Sequence, residues 1–152
     1  MGIDTILWPT DLSEGSFKSV RHVVSLAEKY NAKVVALYVA VDLCAYFPAY
    51  GNYPSPELIQ QFQSWEMEEA RRKLETICQG MLHGCPNLKV KLVRGNAAEE
   101  ILKTAREEKA GLVVMTSRGQ GLDKGPAEAT GLGSVARQVL EKSTLPVQIV
   151  YP

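Results

Sequence analysis

The amino-acid sequence predicts an α/β protein in which a parallel β-sheet lies between two layers of helices. Short apolar, β-branched segments alternate along the chain with segments whose apolar residues recur at helical spacing. Lys33 to Val41, KVVALYVAV, is apolar almost throughout, which is typical of a strand buried on both faces of a parallel sheet. The chain has 152 residues, a length that suits one domain.

The first half of the chain supplies two of the strands and two of the helices. Ile3 to Trp8 is an apolar run that stops at Pro9, and it predicts the first strand. Ser13 is a candidate N-cap for a helix that continues to Tyr30 and Asn31. After the second strand comes an aromatic-rich loop, residues 42–54, and then a long helix from Ser55 to about Leu82.

The second half of the chain adds three strands and two helices. Asn96 followed by Glu99 resembles a capping box, which predicts a helix beginning there. In order, the elements are a strand from Leu88 to Val93, that helix, a strand from Leu112 to Met115, a helix from Ser134 to Lys142 and a strand from Val147 to Tyr151. This alternation indicates one domain over residues 1–152, a doubly wound, three-layer sandwich of the flavodoxin or Rossmann type.

Composition bears on partners and location. Lysine plus arginine and aspartate plus glutamate number 17 each, so the chain lacks the basic excess typical of proteins that bind nucleic acids or anionic membranes. The three cysteines are an odd number, and the first residues lack the pattern of a signal peptide. No apolar run is long enough to span a bilayer. We therefore expect a soluble, cytoplasmic protein with no nucleic-acid or membrane partner.

Three sets of segments share a pattern with a known family. They are ILWPTDLS at 6–13; VRGN at 93–96 with EEIL at 99–102; and VVMTSRG at 113–119 with GSVA at 133–136 and LPVQIV at 145–150. In order and spacing they resemble the universal stress protein family, a group of small adenine-nucleotide binders, along essentially the whole chain. The resemblance implies the same α/β fold as the periodicity.

The resemblance also implies a site for ATP or AMP at the carboxyl ends of the strands, with Mg²⁺ or Mn²⁺ able to accompany the phosphates. The residues carried over by position are Asp11 at the base or ribose, Pro9 and Thr10 beneath it, the backbone of Val39 at the adenine edge, Met115 beside the ribose, Gly119, Gly133 and Ser134 around the phosphates, and Thr116 and Val135 in the same segments. Open parallel sheets generally bind ligands at this edge. Independently, a helix that starts at Gly133 and Ser134 would favour an anion.

The glycine pattern departs from that of the nucleotide-binding members, in which G-x-x-G, nine residues and then G-S or G-T follow one another. Thr116 stands at the first glycine, and thirteen residues separate Gly119 from Gly133. If Thr116 had to adopt a positive φ, its side chain would be strained by about 1 kcal/mol or more. Otherwise, its hydroxyl could replace a backbone contact. The sequence leaves open whether the altered loop still binds ATP.

Three functions are compatible with these features. The leading hypothesis is a non-enzymatic regulatory or stress-response protein that binds ATP or AMP. The alternatives are an interaction module of the same fold that has lost the nucleotide, and a slow ATPase. An enzyme needs a positioned base, nucleophile or metal clamp, and the sequence offers Asp11 and the phosphate loop alone. Asp11 has its own alternative, as a turn residue that caps the first helix.

The last strand predicts a homodimer. Val147 to Tyr151 is apolar and β-branched, it carries no lysine or interior proline, and the predicted topology leaves it at an edge of the sheet. Unprotected edge strands recruit another chain through their unpaired backbone groups. The family resemblance implies the same arrangement, with the final strands of two subunits paired across a two-fold axis.

Overall fold

Five strands form one parallel sheet, as the sequence predicts. The computed structural model describes residues 2–40, 55–80, 87–117 and 132–151. Within them the strands are β1 (Thr5–Thr10), β2 (Lys33–Ala40), β3 (Asn87–Arg94), β4 (Leu112–Thr116) and β5 (Val147–Val150). Their order across the sheet is β3-β2-β1-β4-β5, and every neighbouring pair is parallel. Each strand lies within two residues of its predicted bounds, and β1 continues past Pro9.

The helices of the described residues are α1 (Glu14–Phe17), α2 (Val20–Tyr30), α3 (Pro56–Gly80), α4 (Ala97–Glu107) and α5 (Ser134–Lys142). The predicted caps are present: Ser13 Oγ accepts from Ser16 N–H at 3.2 Å, and Asn96 Oδ1 accepts from Glu99 N–H at 3.0 Å. The single helix expected after Ser13 is instead two. Ser19 donates to the Ser16 carbonyl through its N–H (3.2 Å) and its hydroxyl (2.6 Å), and this local bonding interrupts the helix.

The sheet is covered on both faces, which gives three layers. Side chains alternate between the faces along each strand. On one face, Ile6, Trp8, Val34 and Val114 pack against residues of α2 and α3 such as Val23 and Leu74. On the other face, Leu7, Val35, Leu37 and Val113 pack against residues of α4 and α5 such as Ile101 and Val139. The predicted doubly wound α/β sandwich is confirmed.

The carboxyl end of α4 combines an ion-pair cluster with a strained turn. Glu108 accepts from Lys89 at 2.7 Å and from Lys33 at 3.5 Å, although its side chain is only 9% exposed. The next residue, Lys109, has φ +54°, and the Ala110 N–H donates back to the Ala105 carbonyl at 2.9 Å. Together with the bond from the Lys109 N–H to the Arg106 carbonyl at 3.2 Å, this bond makes a Schellman cap, in which the residue with positive φ is usually glycine.

Two predicted segments lie outside the described residues: the aromatic loop 42–54 and most of the glycine-rich segment, including Gly119. The end of the long helix near Leu82 lies outside them as well. Among the described residues, no helix combines the length and the apolar character that crossing a membrane requires.

Candidate functional site

The hydrogen-bonded register between neighbouring strands β1 and β4 ends before their carboxyl ends. β1 is in register with β2 from Thr5–Lys33 to Thr10–Tyr38, whereas the β1–β4 register covers only Ile6–Leu112 and Leu7–Val113 in the described structure. The chain also changes its direction of travel across the sheet between these strands, since β1 is followed by β2 and β3 on one side and β4 lies on the other. A doubly wound sheet binds ligands at such a switch point.

Pro9 gives a local reason for the end of the β1–β4 register. The Asp4 carbonyl accepts from Lys33 N–H of β2 at 2.9 Å, and the Thr5 carbonyl accepts from Gly111 N–H, just before β4, at 2.8 Å. Because backbone groups alternate in direction along a strand, Thr5, Leu7 and Pro9 face β4. Proline has no N–H, so the ladder to β4 loses its donor one step after Leu7. β1 itself continues to Thr10 because its pairing with β2 uses the other residues.

A tight turn follows β1 and carries Asp11. Asp11 Oδ1 accepts from Ser13 N–H at 2.9 Å, and Thr10 Oγ1 accepts from Leu12 N–H at 3.0 Å. Leu12 has φ +66°, an uncommon conformation for a residue with a Cβ. The N-cap of α1 is Ser13 and not Asp11. Asp11 is instead a turn residue, which accepts a hydrogen bond through one carboxylate oxygen.

Buried hydroxyl groups anchor this turn to the core. The Trp8 indole N–H donates to Ser19 Oγ at 2.8 Å, and Thr10 Oγ1 lies 2.7 Å from Ser16 Oγ. Trp8 is fully buried, and a buried indole needs an acceptor. Sequence reasoning assigned Trp8 and Ser19 no role. The sequence pattern that could have indicated these anchoring hydroxyl groups is the set of serines at 13, 16 and 19, because a spacing of three places them on one side of a helical turn.

Charged residues surround the ends of β2 and β3. Burial raises the pKa of the Tyr38 phenol, the carboxylates of Glu66 and Asp11 raise it further, and the Arg94 guanidinium opposes them. Arg94 donates to Glu66 Oε1 at 3.4 Å and to the Gln63 carbonyl at 3.2 Å, which ties β3 to α3. Tyr38 is the register partner of Thr10, so this group borders the Asp11 turn. No sequence pattern joins residues so far apart in the chain.

The backbone of Val39 lies beside the same turn. Lys33 donates its N–H to β1 and the Ala40 carbonyl accepts from Gly95 N–H at 2.9 Å, so the odd-numbered residues of β2 face β1. Val39 is the first such residue beyond the last β1–β2 register pair, Thr10–Tyr38. The next donor that β1 would offer, Leu12 N–H, donates to Thr10 Oγ1 instead. The Val39 carbonyl therefore lacks a donor from β1 at the point where β1 turns away.

The other predicted site residues that the structure describes lie at the end of β4 and the start of α5. Met115 and Thr116 are buried in β4. Thr116 is not among the described residues with a positive φ, so the strain considered from the sequence does not arise. Gly133 is the N-cap of α5, which has no side-chain cap and no acidic residue in its first turn. Ser134 and Val135 follow as its first two residues.

Ser117 joins the end of β4 to this helix start. Its N–H donates to the Val150 carbonyl at 3.1 Å, and its carbonyl accepts from Gly133 N–H at 2.6 Å. The residue is 2% exposed, yet Ser117 Oγ has no hydrogen-bond partner within the described structure. Such unsatisfied buried groups are rare in native proteins and call for an explanation. Sequence reasoning did not single out Ser117.

The structure thus brings β1, β4 and α5 together and places Val39 one strand further along the same edge. Over the described ranges, no three histidine, cysteine, aspartate or glutamate side chains cluster closely enough to hold a metal ion.

Comparisons with known proteins agree with this architecture. The model of the Universal stress protein family matches residues 2–151. Universal stress protein MJ0531 of Methanocaldococcus jannaschii is 32% identical over 147 residues, which cover 95% of this chain and 80% of the relative. The solved structure of MJ0577, from the same organism, superimposes with a TM-score of 0.82 at 27% identity and covers 100% of this chain and 98% of its own.

Two more distant structures share the fold. A universal stress protein in complex with cAMP has a TM-score of 0.63 at 23% identity, with 99% of this chain and 98% of that chain covered. One from Archaeoglobus fulgidus in complex with dAMP has a TM-score of 0.61 at 17% identity, with 97% and 96% covered. The family resemblance of the sequence motifs is confirmed over almost the whole length. The chain belongs to the universal stress protein family.

Proposed function

We propose that the crevice between β1 and β4 binds an adenine nucleotide, ATP or AMP, and that the protein is a non-enzymatic regulator whose contacts respond to that nucleotide. The observation that carries the proposal is the switch point of the sheet, where the β1–β4 register ends beside an uncapped helix start. Relatives of the same fold are solved in complex with cAMP and dAMP, which supports an adenine mononucleotide as the ligand class.

The start of α5 suits the phosphates. The first N–H groups of a helix lack intrahelical acceptors, and the helix dipole adds positive potential there. Gly133 offers no side chain to accept these N–H groups, and no acidic residue of the first turn competes for them. Since glycine also allows close approach, a phosphate could accept from the N–H groups and from the exposed Ser134 hydroxyl. Thr116, Val135 and Gly119 complete the phosphate side of the proposal.

The other side of the crevice suits the base and ribose. The Val39 carbonyl, which lacks a donor from β1, can accept from the amino group of the adenine edge. Asp11 is held by its bond to Ser13 N–H, and a carboxylate in that position can accept from ribose hydroxyls. Pro9 and Thr10 form the buried floor, and Met115 adds a polarisable apolar contact.

Calorimetric titration with ATP and AMP tests the site. Wild type is expected to bind with a micromolar or lower Kd, and Gly133→Val to bind at least about tenfold more weakly because its side chain obstructs the phosphates. The φ and ψ of Gly133, −75° and 166°, are open to any residue, so the substitution does not strain the backbone. Gly80→Val is the matched control, since a Cβ there meets no atom within 4 Å. Equal binding by Gly133→Val would remove the site assignment.

Two outcomes would favour the other functions. Absence of nucleotide binding by wild type, together with no nucleotide in freshly purified protein, would favour an interaction module that has lost the ligand. Phosphate release from ATP with Mg²⁺ or Mn²⁺, measured by a malachite-green assay, should stay at the blank. Turnover above roughly 1 per second, within the ordinary range for enzymes, would favour an ATPase.

We also propose a homodimer that pairs the β5 strands. β5 is an edge of the sheet in the observed order. The Val113 N–H donates to the Pro146 carbonyl and the Ser117 N–H to the Val150 carbonyl, so even-numbered residues of β5 face β4. Val147 and Ile149 therefore direct their backbone groups away from the sheet, where a second copy can accept and donate.

A further inference from the structure

We propose that the Ser117 hydroxyl is a ligand group for the nucleotide phosphate, a role that rests on the proposed function and extends it to a side chain between the two glycine positions of the family pattern. The observation is the buried Ser117 Oγ, which lacks a hydrogen-bond partner among the described residues. The backbone N–H and carbonyl of Ser117 are both bonded, so the hydroxyl is the unsatisfied group of this residue.

The backbone geometry places this hydroxyl on the α5 side of the sheet. The bond from Ser117 N–H to Val150 continues the β4–β5 ladder one residue past Thr116, so the chain is still extended there. Side chains alternate along an extended strand, and Ser117 follows Val113 and Met115 by four and two residues. Both of those side chains pack in the cluster that contains Ala136 and Val139 of α5.

The start of α5 is directly adjacent, because the Gly133 N–H donates to the Ser117 carbonyl at 2.6 Å. A hydroxyl with no partner therefore lies beside a helix start with no side-chain cap and no acidic residue. A phosphate oxygen would satisfy both deficiencies together, since it accepts hydrogen bonds and carries negative charge. A phosphate bound at the helix start thus accounts for an otherwise costly buried hydroxyl.

This role makes a prediction opposite to that of a structural serine. Ser117→Ala removes the unsatisfied hydroxyl, so the melting temperature without ligand should stay the same or rise by roughly 2 to 4 °C. Its affinity for ATP and AMP should fall at least about tenfold because a charge-assisted hydrogen bond is lost. Ser143→Ala is the matched control: its hydroxyl, just past the other end of α5, donates to the Leu145 carbonyl at 2.7 Å and accepts from the Leu145 N–H at 3.1 Å.

Thermal melts and calorimetry on wild type, Ser117→Ala and Ser143→Ala, with ATP, AMP and adenosine, decide the matter. Ser143→Ala should melt lower and bind as wild type does. Unchanged ATP affinity in Ser117→Ala, while wild type binds, would overturn the inference and leave the proposed function intact. A lower melting temperature without ligand would show that the hydroxyl is structural and overturn it too. An equal loss for adenosine would place the hydroxyl on the ribose and overturn the phosphate assignment. No binding by wild type would overturn both proposals.

Discussion

Replacing Ile149 with proline tests the proposed dimer through one backbone atom. The Ile149 N–H faces away from β4, because the neighbouring carbonyls at Pro146 and Val150 are the ones that accept from the β4 side. Proline removes that N–H but leaves every N–H that donates within the β4–β5 ladder. Proline is tolerated on edge strands for this reason. The variant should therefore fold and lose affinity for its second copy.

The magnitude follows from the symmetry of the pairing. In an antiparallel pair across a two-fold axis, each copy contributes one Ile149 N–H, so proline abolishes two hydrogen bonds per dimer. At a net 0.5–1.5 kcal/mol each, their loss amounts to about 1–3 kcal/mol. The dimer Kd should accordingly rise roughly 5- to 150-fold, before any steric effect of the ring.

Sedimentation velocity over a concentration series measures this change, and two variants provide controls. Ile149→Ala removes a similar amount of apolar packing in the α4–α5 face but keeps the N–H, so it should dimerise more tightly than Ile149→Pro. Gln148→Pro removes an N–H that faces β4 and should lower the unfolding temperature instead. A wild-type monomer at tens of micromolar, or equal dissociation of Ile149→Pro and Ile149→Ala, would refute the reasoning.

Three further predictions concern stability. Lys109→Gly should raise the free energy of unfolding by about 1 kcal/mol in a urea titration, because glycine adopts φ +54° without strain; an unchanged or lower value would contradict it. The hydrogen bond from Lys89 lowers the pKa of Glu108 from its ordinary 4.5. The ionised Glu108 side chain therefore stabilises the fold fully above pH 4.5, and this stabilisation is lost as the pH falls through the lowered pKa. Glu108→Gln should therefore melt below wild type at pH 7, and the two melting temperatures should converge as the pH falls through the lowered pKa; a constant difference would argue against ionisation. Ser19→Ala leaves the Trp8 indole N–H without its acceptor and should cost about 1–3 kcal/mol in the same urea titration, whereas no loss would mean that another group accepts.

The sequence by itself determined the elements and the family. Periodicity located every strand to within two residues, and Ser13 and Asn96 identified helix starts, because capping depends on residues three positions apart. The three sets of segments, taken in order from 6–13 to 145–150, were sufficient for the family assignment, since their order and spacing are visible in the sequence. The continuous helix expected after Ser13 was wrong, because the Ser19 hydroxyl bond to Ser16 is not a matter of apolar spacing.

The tertiary structure alone decided how these elements make a site. Pro9 is interpreted from the sequence as the end of a strand, but only the direction of its missing N–H, towards β4, explains why the register with β4 ends there while the pairing with β2 continues. The ion pair of Arg94 with Glu66 and the burial of the Ser117 hydroxyl likewise depend on strand register and on helices returned from distant parts of the chain. Hydrogen bonds between residues a few positions apart can be predicted from their spacing in the sequence. Contacts between strands and helices depend on the packing of the whole sheet and cannot be predicted in this way.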